Sequence, residues 1–263
     1  MKIAILVFLF SISFSVQSAC SKDGKSIMEL QEKKQKVKFE SEEQSVVLLD
    51  VKSKQKEKRT MKHYAVKASD GSEKALLTFV EPADIKGSAV LNWRDKSSDD
   101  QWVYLPALKK LQRIASGSKR KYFMGTDFTF ADLEGEVLKN YNYTCEKEEA
   151  CPSKKGKCFL VTATPKNKDI KRTTGYTKRV LWVETNRYVT HKIEYHNLKG
   201  KHFKTAEYLK WKKEGKVWRP NLAVMSREGK HKTYIKVKKR TLNTEIKDVV
   251  FSKRYIEKEM HIK

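Results

Sequence analysis

Proline and glycine are scarce in this sequence, at five and eleven of 263 residues. No linker, repeat array or low-complexity segment breaks it, so a single domain is the economical reading. Acidic residues are also short, 32 against 57 Lys and Arg, for a formal net charge of +25. Such a balance raises nucleic acid as a partner. No recognition motif accompanies it, and the lysines are spread along every segment, so no nucleic-acid partner is expected. The excess reads first as a solvated surface and second as attraction to an anionic membrane surface or an acidic partner.

Catalytic signatures are missing too. None of the six histidines stands in an HExxH pair, and there is no GxSxG elbow, P-loop or dinucleotide fingerprint. Asp99-Asp100 is the one tempting acid pair, and it reads as the turn that starts a strand. His191 shares a side with Val189 and Ile193 and reads as a satisfied sheet histidine. The expectation is a protein that is not an enzyme and needs no cofactor or metal.

One long apolar run exists, Ile3 to Phe14, behind the charge of Lys2. It is too short to span a bilayer comfortably and reads as a secretory signal over residues 1–19, with cleavage before Ala19. The mature chain, 20–263, is then one exported domain in the periplasm. Cys20 raises the alternative of a lipid anchor, although Gln17 fits a lipoprotein cleavage site poorly.

Cysteines number four, and export permits disulfides. Cys145 and Cys158 end two strand-like runs that face each other across a hairpin, which makes them the first candidate pair. Cys145 with Cys151 closes a smaller loop as the alternative, and spacing does not choose. No histidine lies close to the trio in sequence, and the spacing matches no common zinc site.

The remaining pattern is mostly of period two. Asp23 to Lys34 is the exception, an amphipathic helix with Asp23 as cap and Ile27, Met28 and Leu30 on its apolar side. Beyond Val37 the alternation marks strands with one apolar and one cationic face. Val189, His191, Ile193 and Tyr195 share one side. Phe203, Thr205, Leu209 and Trp211 share another, with Lys204 and Lys210 facing away. Thr233, Ile235 and Val237 oppose Lys232, Lys236 and Lys238. Asp70-Gly71, Lys199-Gly200, Glu214-Gly215 and Glu228-Gly229 are hairpin signals. Ten or eleven strands in a meander, with short helices near Phe128–Leu133 and Val250–Glu257, give a mainly β (α+β) fold. It is a single large curved antiparallel sheet whose apolar face must be covered.

The stretch Asp99 to Gly135 stands apart. It contains QWVYLP, a strand apolar on both faces, then a basic segment, then aromatics around Met124 and Gly125. Together with LLTFVEPADIKGSAVL (Leu76–Leu91), CFLVTATPK (Cys158–Lys166), GYTKRVLWVE (Gly175–Glu184) and VVFSKRYIEK (Val249–Lys258), it resembles the outer-membrane lipoprotein-sorting protein family, which is LolA-like. The resemblance implies an incomplete β-barrel covered by short helices, with a hydrophobic cavity between. It implies a periplasmic carrier for the acyl chains of a lipoprotein or lipid, a monomer working with an inner-membrane lipid-exporting transporter. A non-ferrying envelope sensor or transporter-accessory scaffold is the alternative. Trp93, Trp102, Tyr104, Phe123, Met124, Phe128, Phe130 and Trp182 are the candidate cavity wall. Arg94 and Arg113 are the candidate head-group contacts.

Overall fold

The structure, a computed structural model, describes residues 19–95 and 98–262; the expected signal lies almost wholly outside them. Helix α1 (Gly24–Gln35) is followed by six strands: β1 (Phe39–Asp50), β2 (Lys56–Lys67), β3 (Glu73–Glu81), β4 (Ala89–Arg94), β5 (Asp99–Leu105) and β6 (Lys110–Arg113). A long crossing segment leads to β7 (Tyr141–Ala150), β8 (Lys157–Pro165), α2 (Lys168–Thr174), β9 (Lys178–Glu184) and β10 (Thr190–His196). The chain ends with β11 (His202–Glu214), β12 (Val217–Arg227), β13 (His231–Leu242) and α3 (Lys253–Glu257).

All thirteen strands form one antiparallel sheet in the order β6-β5-β4-β3-β2-β1-β13-β12-β11-β10-β9-β8-β7. Pairing of β1 with β13 joins the two halves at the centre, so β6 and β7 are left as the two edges. This is the expected curved, open sheet. Each of the four expected Gly turns joins neighbouring strands, and their glycines have φ between +61° and +88°, a region closed to most side chains. Helix α2 was not foreseen. Its signals are local ones: the Asn167 side chain accepts from the Ile170 amide, and Gly175 caps its end at φ +79°, the usual polar start and glycine stop.

The two apolar faces of QWVYLP have a simple explanation, because both are covered. On the convex face, Trp102 and Tyr104 pack with Leu76, Leu91 and Trp93 beneath Phe251 and Ile256 of the C-terminal segment. Trp93 donates its indole N–H to the Phe251 carbonyl at 2.7 Å. On the concave face, Val103 joins Val46, Leu48, Phe79 and Val90 under Phe123, Met124 and Phe130 of the crossing segment. A second concave core, in the β7–β11 half, holds Ile27 and Met28 of α1 against Val161, Leu181 and Ile193.

The register of β11 corrects one expectation. Lys204 does not face solvent: it is 0% exposed and lies on the concave side. A bulge at Tyr195/His196 opposite His202 resets the alternation, and the Asp132 carboxylate supplies the buried ammonium with a partner. A second bulge, at Thr190/Lys192, interrupts the side that His191 was expected to share with Ile193. His191 meets Glu184 instead, at 2.8 Å.

The disulfides are Cys20–Cys145 and Cys151–Cys158, which corrects the expected Cys145–Cys158 pair. In the β7–β8 ladder Cys145 stands opposite Val161 and Cys158 opposite Glu149, so those two sulfurs sit at different levels of the hairpin. Cys20 therefore spends the sulfur that a lipid anchor would need. The Cys151 and Cys158 sulfurs lie near a His191 ring nitrogen, but they are bonded to each other rather than free as thiolates. Among the described residues no helix is long and apolar enough to cross a membrane.

Two predictions follow from the covers. A Cβ on Gly24 would lie 2.6 Å from the Tyr143 backbone. Gly24→Ala is expected to lift α1 off β7 and cost about 1–3 kcal/mol, as overpacking does, read by urea denaturation. On the convex side, His261 bonds the Gly87 carbonyl at 2.8 Å, and burial holds its pKa below the usual 6.5. The unfolded chain then binds the extra proton, so stability falls as pH drops below about 6.5 towards the folded value. His261→Gln is expected to flatten that part of a pH–stability profile.

Candidate functional site

A cavity of about 520 Å³ opens between α1, the crossing segment and the concave face of the sheet. That lies within the roughly 300–1,000 Å³ typical of small-molecule sites. Its walls draw on Met28 and Gln31 of α1, Ala65 and Ala75 of paired β2 and β3, and Leu181, Ile193 and Tyr208 of β9–β11. The crossing segment adds Asp132, Glu136 and Leu138.

The floor is polar as well as apolar. Asp132 accepts from Tyr176 at 2.7 Å and from the Thr129 amide at 2.6 Å, and it pairs with Lys204. Glu136 takes both Arg179 terminal nitrogens, at 2.8 and 2.9 Å, and also the Tyr143 hydroxyl. The Arg179 guanidinium lies over the Tyr141 ring, 4.0 Å from its centre, a cation–π contact. Burial drives the Lys204 pKa down against the pull of Asp132. It drives the tyrosine pKa values up, that of Tyr208 to about 12 and that of Tyr195 well above its usual value. These phenols stay protonated.

Helix α1 roofs the cavity, and its two long sides are held differently. Towards β7 it is fixed by the Cys20–Cys145 bridge and the close Gly24–Tyr143 approach. At its C-terminal end Gln35 donates to the Arg187 carbonyl and accepts from the Trp218 amide, both at 2.8 Å. Towards β2 and β3 it is held through Lys67, which bridges Glu32 of α1 and Glu73. Half-exposed pairs of that kind are worth about 0–1 kcal/mol each.

None of the eight expected wall residues lines this cavity. Trp93, Trp102 and Tyr104 are brought together, but on the convex face. Phe123, Met124 and Phe130 form the concave core beside the cavity, and Phe128 packs against the core of the other half. Trp182 points to the convex side, where it donates to Glu149 at 2.7 Å and lies under Lys192. Arg94 and Arg113 are not free for a head group: Arg94 pairs with Glu73 and bonds the Glu134 carbonyl, and Arg113 pairs with Asp100. The same contacts use Asp99 and Asp100 as ion-pair partners. The residues that do line the cavity were hidden because they come from eight or more segments far apart along the chain. The one local signal was α1, an amphipathic helix needing a sheet to cover.

A family model described as an uncharacterized protein matches residues 71–258. No curated protein matches. Among solved structures, one from Vibrio parahaemolyticus, provisionally described as an outer membrane lipoprotein-sorting protein domain, is 26% identical with a TM-score of 0.82, covering 89% of this chain and 98% of that one. A DUF1329 family protein from Desulfovibrio piger is 23% identical with a TM-score of 0.81, covering 89% and 97%. A LolA superfamily protein from Nitrosomonas europaea is 16% identical with a TM-score of 0.69, covering 89% and 100%. The chain belongs to the matched family, and its fold is LolA-like.

Lys204→Met is expected to leave Asp132 as an uncompensated buried charge and to cost about 3–5 kcal/mol. The double variant Lys204→Met/Asp132→Asn should recover much of that loss in the same urea titration.

Proposed function

We propose that this protein is a periplasmic carrier that shelters the acyl chains of a lipoprotein or lipid for transport to, or sorting at, the outer membrane. The observation that carries the reading is the roofed cavity on the concave face of a LolA-like sheet. Each buried methylene contributes roughly 0.8 kcal/mol, so an acyl chain needs no special chemistry to stay inside. The two disulfides fit an oxidising compartment. Residues 1–19 act as the export signal, and 20–263 act as one domain and one monomer. The lysine-rich surface favours an anionic membrane, and an inner-membrane lipid-exporting transporter is the natural donor or acceptor.

The roof gives the mechanism. Helix α1 swings about its disulfide-pinned side when Lys67 releases Glu32, the chain enters past Ala65 and Ala75, and a partner of higher affinity receives it. No step needs a nucleophile, an acid–base pair or a metal.

Mass spectrometry of protein isolated gently from its envelope is expected to report a bound lipid. Ala75→Trp, which places an indole inside the wall, should weaken binding of a fluorescent acyl probe at least tenfold with little change in melting temperature. A wild-type protein that carries no lipid and takes up no probe sinks the reading.

A further inference from the structure

The floor of the cavity holds donors that the protein itself does not use. Asp132 with Lys204 and Glu136 with Arg179 are two closed ion pairs, so the floor presents no spare cation. Tyr195 and Tyr208 both line the cavity. Among the described residues neither hydroxyl has a hydrogen-bond partner, whereas Tyr104, Tyr143 and Tyr176 each bond a carboxylate. Neither hydroxyl oxygen is a sealed, unpaired atom, so both reach the cavity space, where a ligand can meet them. Both phenols are held protonated by burial, so each has an O–H to donate.

We infer that the ligand carries a neutral oxygen acceptor, an alcohol or ester oxygen, which enters the cavity first and is bonded by Tyr195 and Tyr208. This rests on the carrier reading and, of its two cargo classes, keeps the free lipid: a neutral amphiphile seated polar end inward, an orientation that a protein-bearing acyl chain cannot take. An anionic head is disfavoured on the floor, where the Asp132 and Glu136 carboxylates lie close and both cations are engaged. The rim offers the opposite orientation, since Lys36 and Lys38 stand at the mouth and would hold a carboxylate outside while its chain points in. The two orientations predict different ligand rankings.

The test is displacement of the neutral fluorophore N-phenylnaphthylamine from the full mature protein by dodecanol, dodecanoate and dodecane. Two neutral hydrogen bonds of about 0.5–1.5 kcal/mol each amount to roughly a tenfold gain in affinity or more. Dodecanol should therefore act at about tenfold lower concentration than dodecane, and at lower concentration than dodecanoate. Tyr195→Phe/Tyr208→Phe should bring dodecanol level with dodecane and leave dodecane unchanged. Because the lost hydroxyls are unpaired, its melting temperature should equal or exceed that of the parent. If the double variant does not fold, Tyr208→Phe alone should remove about half of the preference on a logarithmic scale. The inference is overturned if dodecanoate acts at the lowest concentration, if all three are equal, or if the alcohol preference survives the substitutions. Those results leave the carrier reading standing; failure of the probe and of every displacer to bind removes both.

Discussion

Three carboxylates on the crossing segment, Asp127, Asp132 and Glu136, each meet basic side chains from the floor of the sheet: Arg227 and the His231 ring, Lys204, and Arg179 in turn. The segment joins the two edges of an open sheet, and an open sheet with a bare concave face would be a sticky surface. Its first part is held by apolar packing, through Phe123 and Met124. From Asp127 onward ion pairs join the apolar contacts of Phe128, Phe130, Leu133 and Leu138. A buried pair contributes little net stability, but losing one partner costs a great deal. Such pairs hold the segment at one height above the sheet, and that height sets the depth of the cavity.

This constraint also explains which parts of the fold could be read along the chain. Hairpins are local events, so Gly71, Gly200, Gly215 and Gly229 marked them faithfully. The covers are not local. Lys204 reads as a wet-face lysine until Asp132, 72 residues away, is placed beside it. The aromatics from Trp93 to Phe130 read as one greasy wall, yet the sheet parts them. Alternation sends Trp102 and Tyr104 to a face closed by the C-terminal segment, while the crossing segment carries Phe123 and Phe130 to the other. An aromatic-rich stretch marks where covers dock. The space left for a ligand is bounded by residues from both halves of the sheet, small ones such as Ala65 and Ala75 facing large ones such as Leu181, Ile193 and Tyr208.

Cysteine pairing shows the same limit. Cys145 sits in a strand opposite a run that begins with Cys158, which favours that pair on paper. A bulge between Cys145 and Lys147 and the register of the ladder place them at different levels. Cys20 reaches Cys145 because α1 packs with Gly24 directly on the Tyr143 backbone. That contact is visible only once the helix has a place on the sheet.

The roof is consequently the least evenly held part of the molecule. On its β7 side a covalent bridge and a backbone-to-backbone approach leave α1 no freedom to separate. On its β2–β3 side, the bond to the sheet is the Lys67 bridge to Glu32 and Glu73, which water and salt weaken. A helix held this way opens by rotation rather than by detachment. On the proposed mechanism the gap forms beside the small side chains of Ala65 and Ala75, while the ion pairs of Asp132 and Glu136 stay closed. In the proposed carrier, ligand exchange moves this unevenly held roof and leaves the floor, with its two unengaged phenols, fixed in shape.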